Sequence, residues 1–560
     1  MVANLKVQNQ KSLWLRTWKW LVCAVFGVKP ETNEQKRALF ISPRFEDTYW
    51  SFRHALKFIG AKAAFPPLAL MTLAAMLPKD WEIKLIDLNV RSHKGILVCA
   101  FEWLMSFLFG VKPKIKTAAD LITAKEWKWA SKGKVFVSAM IAQSKSTKEV
   151  LALCSKLGVK TVLGGPILET EEFCEKYSGA TSYVLGEAEE TFPKLLADME
   201  NGCAKSIYKP EPGQFPDLAL SPIPLYGLVS PNDYGSGAIS ESRGCPGRCT
   251  FCSVAVLNGP KWRCKNPEQF LAELEAMYQA GFRGSVQVFS DNFIGNIKKA
   301  KLLLRKIIEW QKAHGHPFQF TIEASILTAD DFELMDLMVG AGIRKVFLGL
   351  ETNNPDCLAE CGKRQNLNRD LVADVKKILR HGLIPMSGFM VGFDNDNPET
   401  FADDMIAFIQ STCVMAMVDT VQAQRGTPLY AKLEAEGRLK GELVSNTAHE
   451  PNFVPKMPLK TLVAGYEHIL EAINSSRNLY ERICNCFGEY NPSRRPKKGF
   501  NWRDTRAVVM SVFWLGIFGG KPAKYYWKTL FFAFSKDWRM LPEAFIFQIF
   551  GYHHRKSVWH

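Results

Sequence analysis

Residues 243–252, Arg243-Gly244-Cys245-Pro246-Gly247-Arg248-Cys249-Thr250-Phe251-Cys252, constrain this chain more than any other stretch. Three thiols stand at spacings of four and three, and Gly244, Pro246 and Gly247 exclude a regular helix across them. Such a loop can fold its sulfurs onto one face of an iron–sulfur cluster, which thiolates hold. A cubane has about four irons, so three cysteines leave one corner for a ligand that is not protein. The competing readings are a zinc knuckle and a group of buried thiols. Zinc usually takes four protein ligands with paired spacing, and only Cys264 lies near enough in sequence to be an obvious fourth.

A chain of 560 residues is too long for one hydrophobic core, so a few domains are expected. Hydrophobic content of 47% with 23% charged residues describes a globular protein rather than a disordered one. The apolar stretch 21–26 is short and has no small-residue cleavage site behind it. The 14 cysteines are therefore expected in a reducing cytoplasm, free for metal work or simply buried. The net charge of +15 sits at the two ends: residues 1–37 carry +5 and 493–560 carry +10, leaving 38–492 neutral. Basicity placed this way describes a surface partner, not an active site.

From 38 to 204 the pattern alternates strand and helix, with strands at 38–42, 82–88, 135–140, 160–163 and 182–185 and helices at 66–77 and 146–157. Repeated units of this kind predict an α/β, doubly wound parallel sheet whose ligand crevice lies at the carboxyl ends of the strands. Those ends carry Ser138, Gly164-Gly165-Pro166 and Gly186-Glu187. The Pro-rich stretch 205–236 reads as a linker. A second series of β-α units fills 237–440, with strands at 237–240, 285–289, 318–323, 345–350, 386–392 and 417–423. Polar residues at strand carboxyl ends point into the mouth of such a barrel, and Asp291, Glu323 and Glu351 fall there. Any one of them alone reads more simply as a salt-bridged barrel residue. The pairs Cys357/Cys361 and Cys484/Cys486 read as buried or surface thiols.

The cysteine loop, with Phe251 in the aromatic slot and the strand Gly237-Ala238-Ile239-Ser240 leading in, resembles that of the radical S-adenosylmethionine (SAM) superfamily. The resemblance implies a 4Fe-4S cluster on Cys245, Cys249 and Cys252, with SAM chelating the open iron and being cleaved to a 5′-deoxyadenosyl radical. It also implies a partial (β/α)6 barrel in which Phe251, Ser290, Asp291, Glu323, Glu351 and Gly388 contact SAM. Residues 38–204 resemble the cobalamin-binding domain that precedes many such barrels, with Pro66, Ser138, Gly164, Gly165, Pro166, Gly186 and Glu187 as the implied cobalamin contacts. One departure stands out. The Asp-x-His-x-x-Gly motif that gives cobalt a histidine elsewhere is absent, and Asp87 is followed by Leu-Asn-Val-Arg.

The stretches Pro43-Arg44-Phe45, Trp50-Ser51-Phe52-Arg53, Phe58-Ile59-Gly60 and the barrel exit Gln424-Arg425-Gly426-Thr427-Pro428-Leu429 are similar to those of hopanoid-methylase-like enzymes. The implied activity is cobalamin-dependent methyl transfer to an unactivated carbon of a small-molecule or lipid substrate. One SAM would supply the methyl group and another the radical, and a reductase, ferredoxin or flavodoxin would supply electrons. Two alternatives stay open: a radical SAM cyclase or C–C bond-forming enzyme without cobalamin, and a non-catalytic, membrane-associated cobalamin- or zinc-binding protein.

The ends are aromatic as well as basic. Segment 1–37 contains an amphipathic helix predicted over 11–27, and 93–116 interrupts the first domain with an apolar insertion. Trp20-Leu21 to Phe26-Gly27-Val28-Lys29-Pro30 recurs as Trp103-Leu104 to Phe109-Gly110-Val111-Lys112-Pro113, with a looser echo at 514–522. Region 441–560 is predicted helical, starting with a helix at 457–475 and ending in a basic aromatic tail. The unbroken apolar runs 507–520 and 544–552 favour an anionic membrane surface over nucleic acid as the partner. The expected setting is the cytoplasm, peripheral to the membrane.

Overall fold

The computed structural model describes residues 36–92, 117–441, 449–494 and 502–558. The amphipathic helix expected at 11–27 and the whole apolar insertion 93–116, with the first two copies of the Gly-Val-Lys-Pro repeat, lie outside them.

Strands β1 (Arg37–Ser42), β2 (Glu82–Asp87), β3 (Lys134–Ser138), β4 (Thr161–Gly164), β5 (Ser182–Val184) and β6 (Ile207–Tyr208) form one six-stranded sheet in the order β2-β1-β3-β4-β5-β6. Every pairing is parallel. The inner strands β1, β3, β4 and β5 are short, largely apolar and buried on both faces, as a parallel sheet requires, whereas the edge strand β2 is partly exposed. Helices Leu68–Ala75 and Ala188–Glu200 pack Leu70, Ala74, Phe192 and Leu195 against one face; helix Ser144–Lys156 packs Val150, Leu151 and Cys154 against the other. The sixth strand lies in the stretch read as a linker, where a two-residue strand among prolines leaves no periodic signature.

The second sheet takes β7 (Gly237–Ser240) as its edge. A short antiparallel ribbon, β8 (Ser242–Arg243) with β9 (Arg263–Cys264), brackets the cysteine loop. Then come β10 (Gly284–Phe289), β11 (Phe318–Ala324), β12 (Ile343–Glu351), β13 (Ile384–Val391) and β14 (Met415–Thr420), each next to its predecessor and parallel to it. Helices separate them, with caps the sequence announces: Asn266 accepts from Gln269 N–H ahead of Pro267, and Asn296 from Lys299 N–H. The result is an open, six-stranded partial barrel.

Helices Leu459–Asn474, Ser476–Glu489, Trp502–Ser511, Ala523–Lys536 and Leu541–Val558 follow the barrel, with a π-helical turn Val512–Ile517. They extend its core: Leu462, Ile469, Ile483, Phe487, Ala544 and Phe547 join one cluster with the barrel strands. One expectation is corrected here. The run 544–552 is not a lipid-facing stretch, because Ala544, Phe547 and Ile549 are buried in that core. An unbroken apolar run reads alike for lipid and for protein, and packing decides between them.

Candidate active site

The carboxyl ends of the two sheets face each other across a cavity of about 420 Å³. Ser138, Gly164, Gly165, Pro166, Gly186 and Glu187 line it from the first sheet, and helix Leu68–Ala75 adds Leu68, Thr72 and Leu73. Ser240, Arg243, Asn258, Ser290, Asp291 and Glu323 line it from the barrel. The structure therefore gathers nine of the residues picked from sequence around one space, although they come from two domains.

Gly165 shows why that crevice needs glycine. Its φ is +96°, and a Cβ would stand 2.7 Å from Ala139 O and 2.8 Å from Ser138 Oγ, so a side chain would collide with the neighbouring strand end. What approaches closely there is the backbone of Ala139, the residue after β3.

The cysteine loop is clamped from several sides. Gly244 N–H donates to Asp291 Oδ2 at 2.6 Å, and Asn258 Nδ2 donates to the same oxygen at 3.0 Å. Thr250 N–H donates to Cys361 O and Leu429 N–H to Thr250 O, both at 2.9 Å. Gly247 N–H points at Cys245 Sγ, 3.4 Å away. Cys245, Cys249 and Cys252 are free, half-buried thiols. Burial pushes Cys252 up to about 11 and Cys249 in the same direction. A cation opposes this: Lys363, its side chain 13% exposed, is within electrostatic reach of both thiols and ion-paired at 2.8 Å to Glu351. Among the described residues no three such side chains stand already gathered as a metal site, but the donor chemistry of three thiols beside this cation suits a group that binds thiolates.

Glu351 ends β12 at φ +62°, a left-handed conformation rare for glutamate, where the β12–β13 register shifts. Asn366 Nδ2 holds the turn by donating to Gly349 O at 3.1 Å and Leu350 O at 3.0 Å. The implied SAM contact at Glu351 thus carries a carboxylate already engaged by Lys363.

Other expected contacts are also engaged by protein. Both oxygens of Glu187 are taken by arginines: Arg243 Nη1 at 2.6 Å and Arg263 Nη2. Arg243 also reaches Glu189 Oε1 at 2.8 Å. Pro66 is buried ahead of helix Leu68–Ala75, where its carbonyl accepts from Leu68 N–H, and it is not among the lining residues. Phe251 packs with Cys357, Cys361 and Phe393, and Gly388 sits in the β12–β13 ladder opposite Gly349; neither lines the cavity. Cys357 Sγ donates to Asp396 Oδ1 at 3.3 Å.

The uncommitted polar groups are the informative ones. Ser290 Oγ and Asn292 Oδ1 are buried without a hydrogen-bond partner. Burial, with the nearby Asp291 charge, pushes the Glu323 carboxyl up to about 8. Ser290 lines the cavity and Asn292 does not; an orphaned polar group at a cavity wall is what a ligand with amino and hydroxyl groups would satisfy. Sequence reasoning missed Lys363, which follows Gly362 in a loop with no periodic pattern, and the Arg243–Glu187–Arg263 link, whose partners lie 56 and 76 residues apart.

A model of the radical SAM superfamily matches residues 239–406, and one of a domain of unknown function, DUF4070, matches 427–558. An uncharacterized methyltransferase of Synechocystis sp. is 35% identical over 454 residues, 80% of this chain and 78% of the relative. Hopanoid C-2 methylase of Rhodopseudomonas palustris is 30% identical over 507 residues, 88% of each chain. Among solved structures, the radical SAM methyltransferase TsrM of Kitasatospora setae, with cobalamin and a [4Fe-4S] cluster bound, superposes at a TM-score of 0.54 and 16% identity, covering 91% of this chain and 99% of that one. The cobalamin-dependent radical enzyme OxsB, with aqua-cobalamin and SAM bound, gives 0.55 and 13%, covering 92% and 80%. Both share the succession of two parallel-sheet domains.

Proposed function

The chain belongs to the radical SAM superfamily and, within it, to the methylases represented by hopanoid C-2 methylase, and from that premise we propose that it is a cobalamin-dependent C-methyltransferase acting on an unactivated carbon of a lipid-like substrate. One observation carries the reading: the carboxyl ends of both parallel sheets open onto a single cavity, so groups held by the two domains would meet in one space. When bound, a 4Fe-4S cluster with SAM would supply a carbon-centred radical and cobalamin would supply the methyl group; Cys245, Cys249 and Cys252 are not themselves among the residues that line the cavity.

The chain's own residues do the positioning. Cys245, Cys249 and Cys252 would hold the cluster, and Lys363 would offset the negative charge that thiolates bring into the loop. Ser290 and Glu323, which line the cavity, would offer polar groups to SAM. Glu187, through Arg243 and Arg263, fixes the first domain against the root of the cysteine loop. Leu68, Leu73, Phe136 and Phe289 give the cavity an apolar lining that favours a hydrocarbon substrate and keeps water from a radical. The molecule would work in the cytoplasm, with electrons from a small redox protein.

The test is anaerobic reconstitution with iron, sulfide and cobalamin, followed by incubation with a low-potential reductant such as dithionite, methyl-labelled SAM and a lipid extract. The expected result is 5′-deoxyadenosine with label in a lipid. SAM cleavage without cobalamin retention or methyl transfer would favour a cyclase-type activity instead. Cys245→Ala/Cys249→Ala/Cys252→Ala should reconstitute no cluster.

A further inference from the structure

We propose that the outer face of helix Ala523–Lys536, with the turn packed beside it, is a docking surface for an anionic lipid bilayer. Along this helix Lys524, Trp527, Lys528, Phe531, Phe534 and Ser535 are exposed and spaced so that they form one stripe; Lys536 at the helix end and Trp538 just beyond it are exposed as well. Phe531 is 74% exposed, Trp538 68% and Phe534 64%. The opposite side buries Tyr526, Leu530 and Ala533 against the body, so the helix is anchored and its aromatic face is turned outward.

The neighbouring turn enlarges the patch. Trp527 Nε1 donates to Gly516 O at 3.0 Å, which places the π-helical turn Val512–Ile517 alongside. Phe513, Trp514, Ile517 and Phe518 are all exposed there. Monomeric proteins rarely leave so many large apolar side chains together in water.

Charge selects the occupant. Interleaved with the aromatics are Lys521, Lys524, Lys528, Lys536 and Arg539, against the single acid Asp537, which Arg539 pairs at 2.6 Å. Tryptophan and phenylalanine ringed by lysine suit the headgroup boundary of a negatively charged leaflet, where rings enter and ammonium groups stay among phosphates. A second copy of this chain would bring the same lysines face to face and repel. No described helix is long and apolar enough to cross a membrane, which leaves an in-plane seat.

The experiment is flotation of the full chain, purified anaerobically, with vesicles of pure phosphatidylcholine or of phosphatidylcholine with a phosphatidylglycerol fraction. Binding should be stronger on the anionic vesicles by about tenfold or more and should fall with salt. Phe531→Ser/Phe534→Ser/Trp538→Ser should weaken it about tenfold on both compositions, while Lys524→Gln/Lys528→Gln/Lys536→Gln should remove the anionic preference. These side chains are exposed, so the thermal transition should stay in place. Unchanged flotation of the aromatic variant would overturn the proposal. So would a wild-type dimer that the aromatic substitutions make monomeric without any vesicle binding. The outcome is independent of methyl transfer, which can fail while flotation holds.

Discussion

Arg243, two residues ahead of the first cysteine of the loop, donates to the Glu187 carboxylate at 2.6 Å across the boundary between the two sheets. Glu187 begins the loop into helix Ala188–Glu200, directly after the strand-end Gly186, so one ion pair joins the crevice of the first domain to the root of the second. Arg263 closes on the same carboxylate from β9.

Removing Glu187 should therefore loosen the domains from each other. Glu187→Gln would leave two partly buried guanidinium groups short of their counter-charge, at a cost of about 3 kcal/mol. Calorimetry should show the single unfolding transition broaden or divide, with faster proteolysis in 205–236. Lys36→Gln, whose partners Asp80 and Glu200 are exposed, should shift the transition by no more than about 1 kcal/mol.

Glu323 gives a pH signature. Burial raises its carboxyl to about 8, from an ordinary value near 4.5, so the folded state holds a proton that the unfolded state has lost between those limits. Stability from this group is full below the unfolded value and declines as pH rises toward 8, by about 1.4 kcal/mol per pH unit at most. Denaturant melts of Glu323→Gln against the wild type from pH 5 to 8 should show the wild type losing ground with rising pH. A difference that stays flat across that range would count against a buried, protonated Glu323.

Much of this architecture could be read from residues alone, and the reasons are local. The strands of both sheets are short apolar runs bounded by glycine or by a capping residue, and Asn266-Pro267 marks a helix start without tertiary information. Ser290 and Asp291 were findable because a barrel places strand-end polar groups at its mouth. What could not be read depends on partners distant in sequence. Lys363 acquires its role from Glu351, Cys249 and Cys252, which only the folded chain brings near it. The run 544–552 was ambiguous because a helix that packs on a barrel and one that lies in lipid need the same side chains. The stripe on helix Ala523–Lys536 became visible once its inward residues were known.

Lys363 should govern the electrostatics of the cysteine loop. Lys363→Met removes the cation between Glu351 and two thiols and leaves Glu351 uncompensated in a left-handed turn. A destabilisation of about 3 kcal/mol is expected. The cluster reconstituted in this variant should have a lower midpoint potential, since a reduced cluster gains more than an oxidised one from a nearby positive charge. Electron paramagnetic resonance during a redox titration would read this directly, and Lys363→Arg should restore most of it.

The segment after β1 supplies a last test, at the barrel's far edge. Tyr49 donates its hydroxyl to Asp419 on β14, and Trp50 stands 5.9 Å from the Phe347 ring on β12, so this segment of the first domain is seated against the second sheet. Burial raises the Asp419 carboxyl to about 7, and the Tyr49 hydrogen bond acts to lower it. Tyr49→Phe should thus push Asp419 higher still. Below pH 7 the carboxyl is protonated in both proteins, and the substitution should cost only about 1 kcal/mol for the lost hydrogen bond. Above pH 7 the wild type carries a charge that the tyrosine stabilises and the variant does not. The gap between them should then widen by about 1.4 kcal/mol for each unit by which the two Asp419 values differ. Melts of both proteins at pH 6 and pH 9 would measure it. A gap that is equal at the two pH values would mean that Asp419 does not ionise in that range.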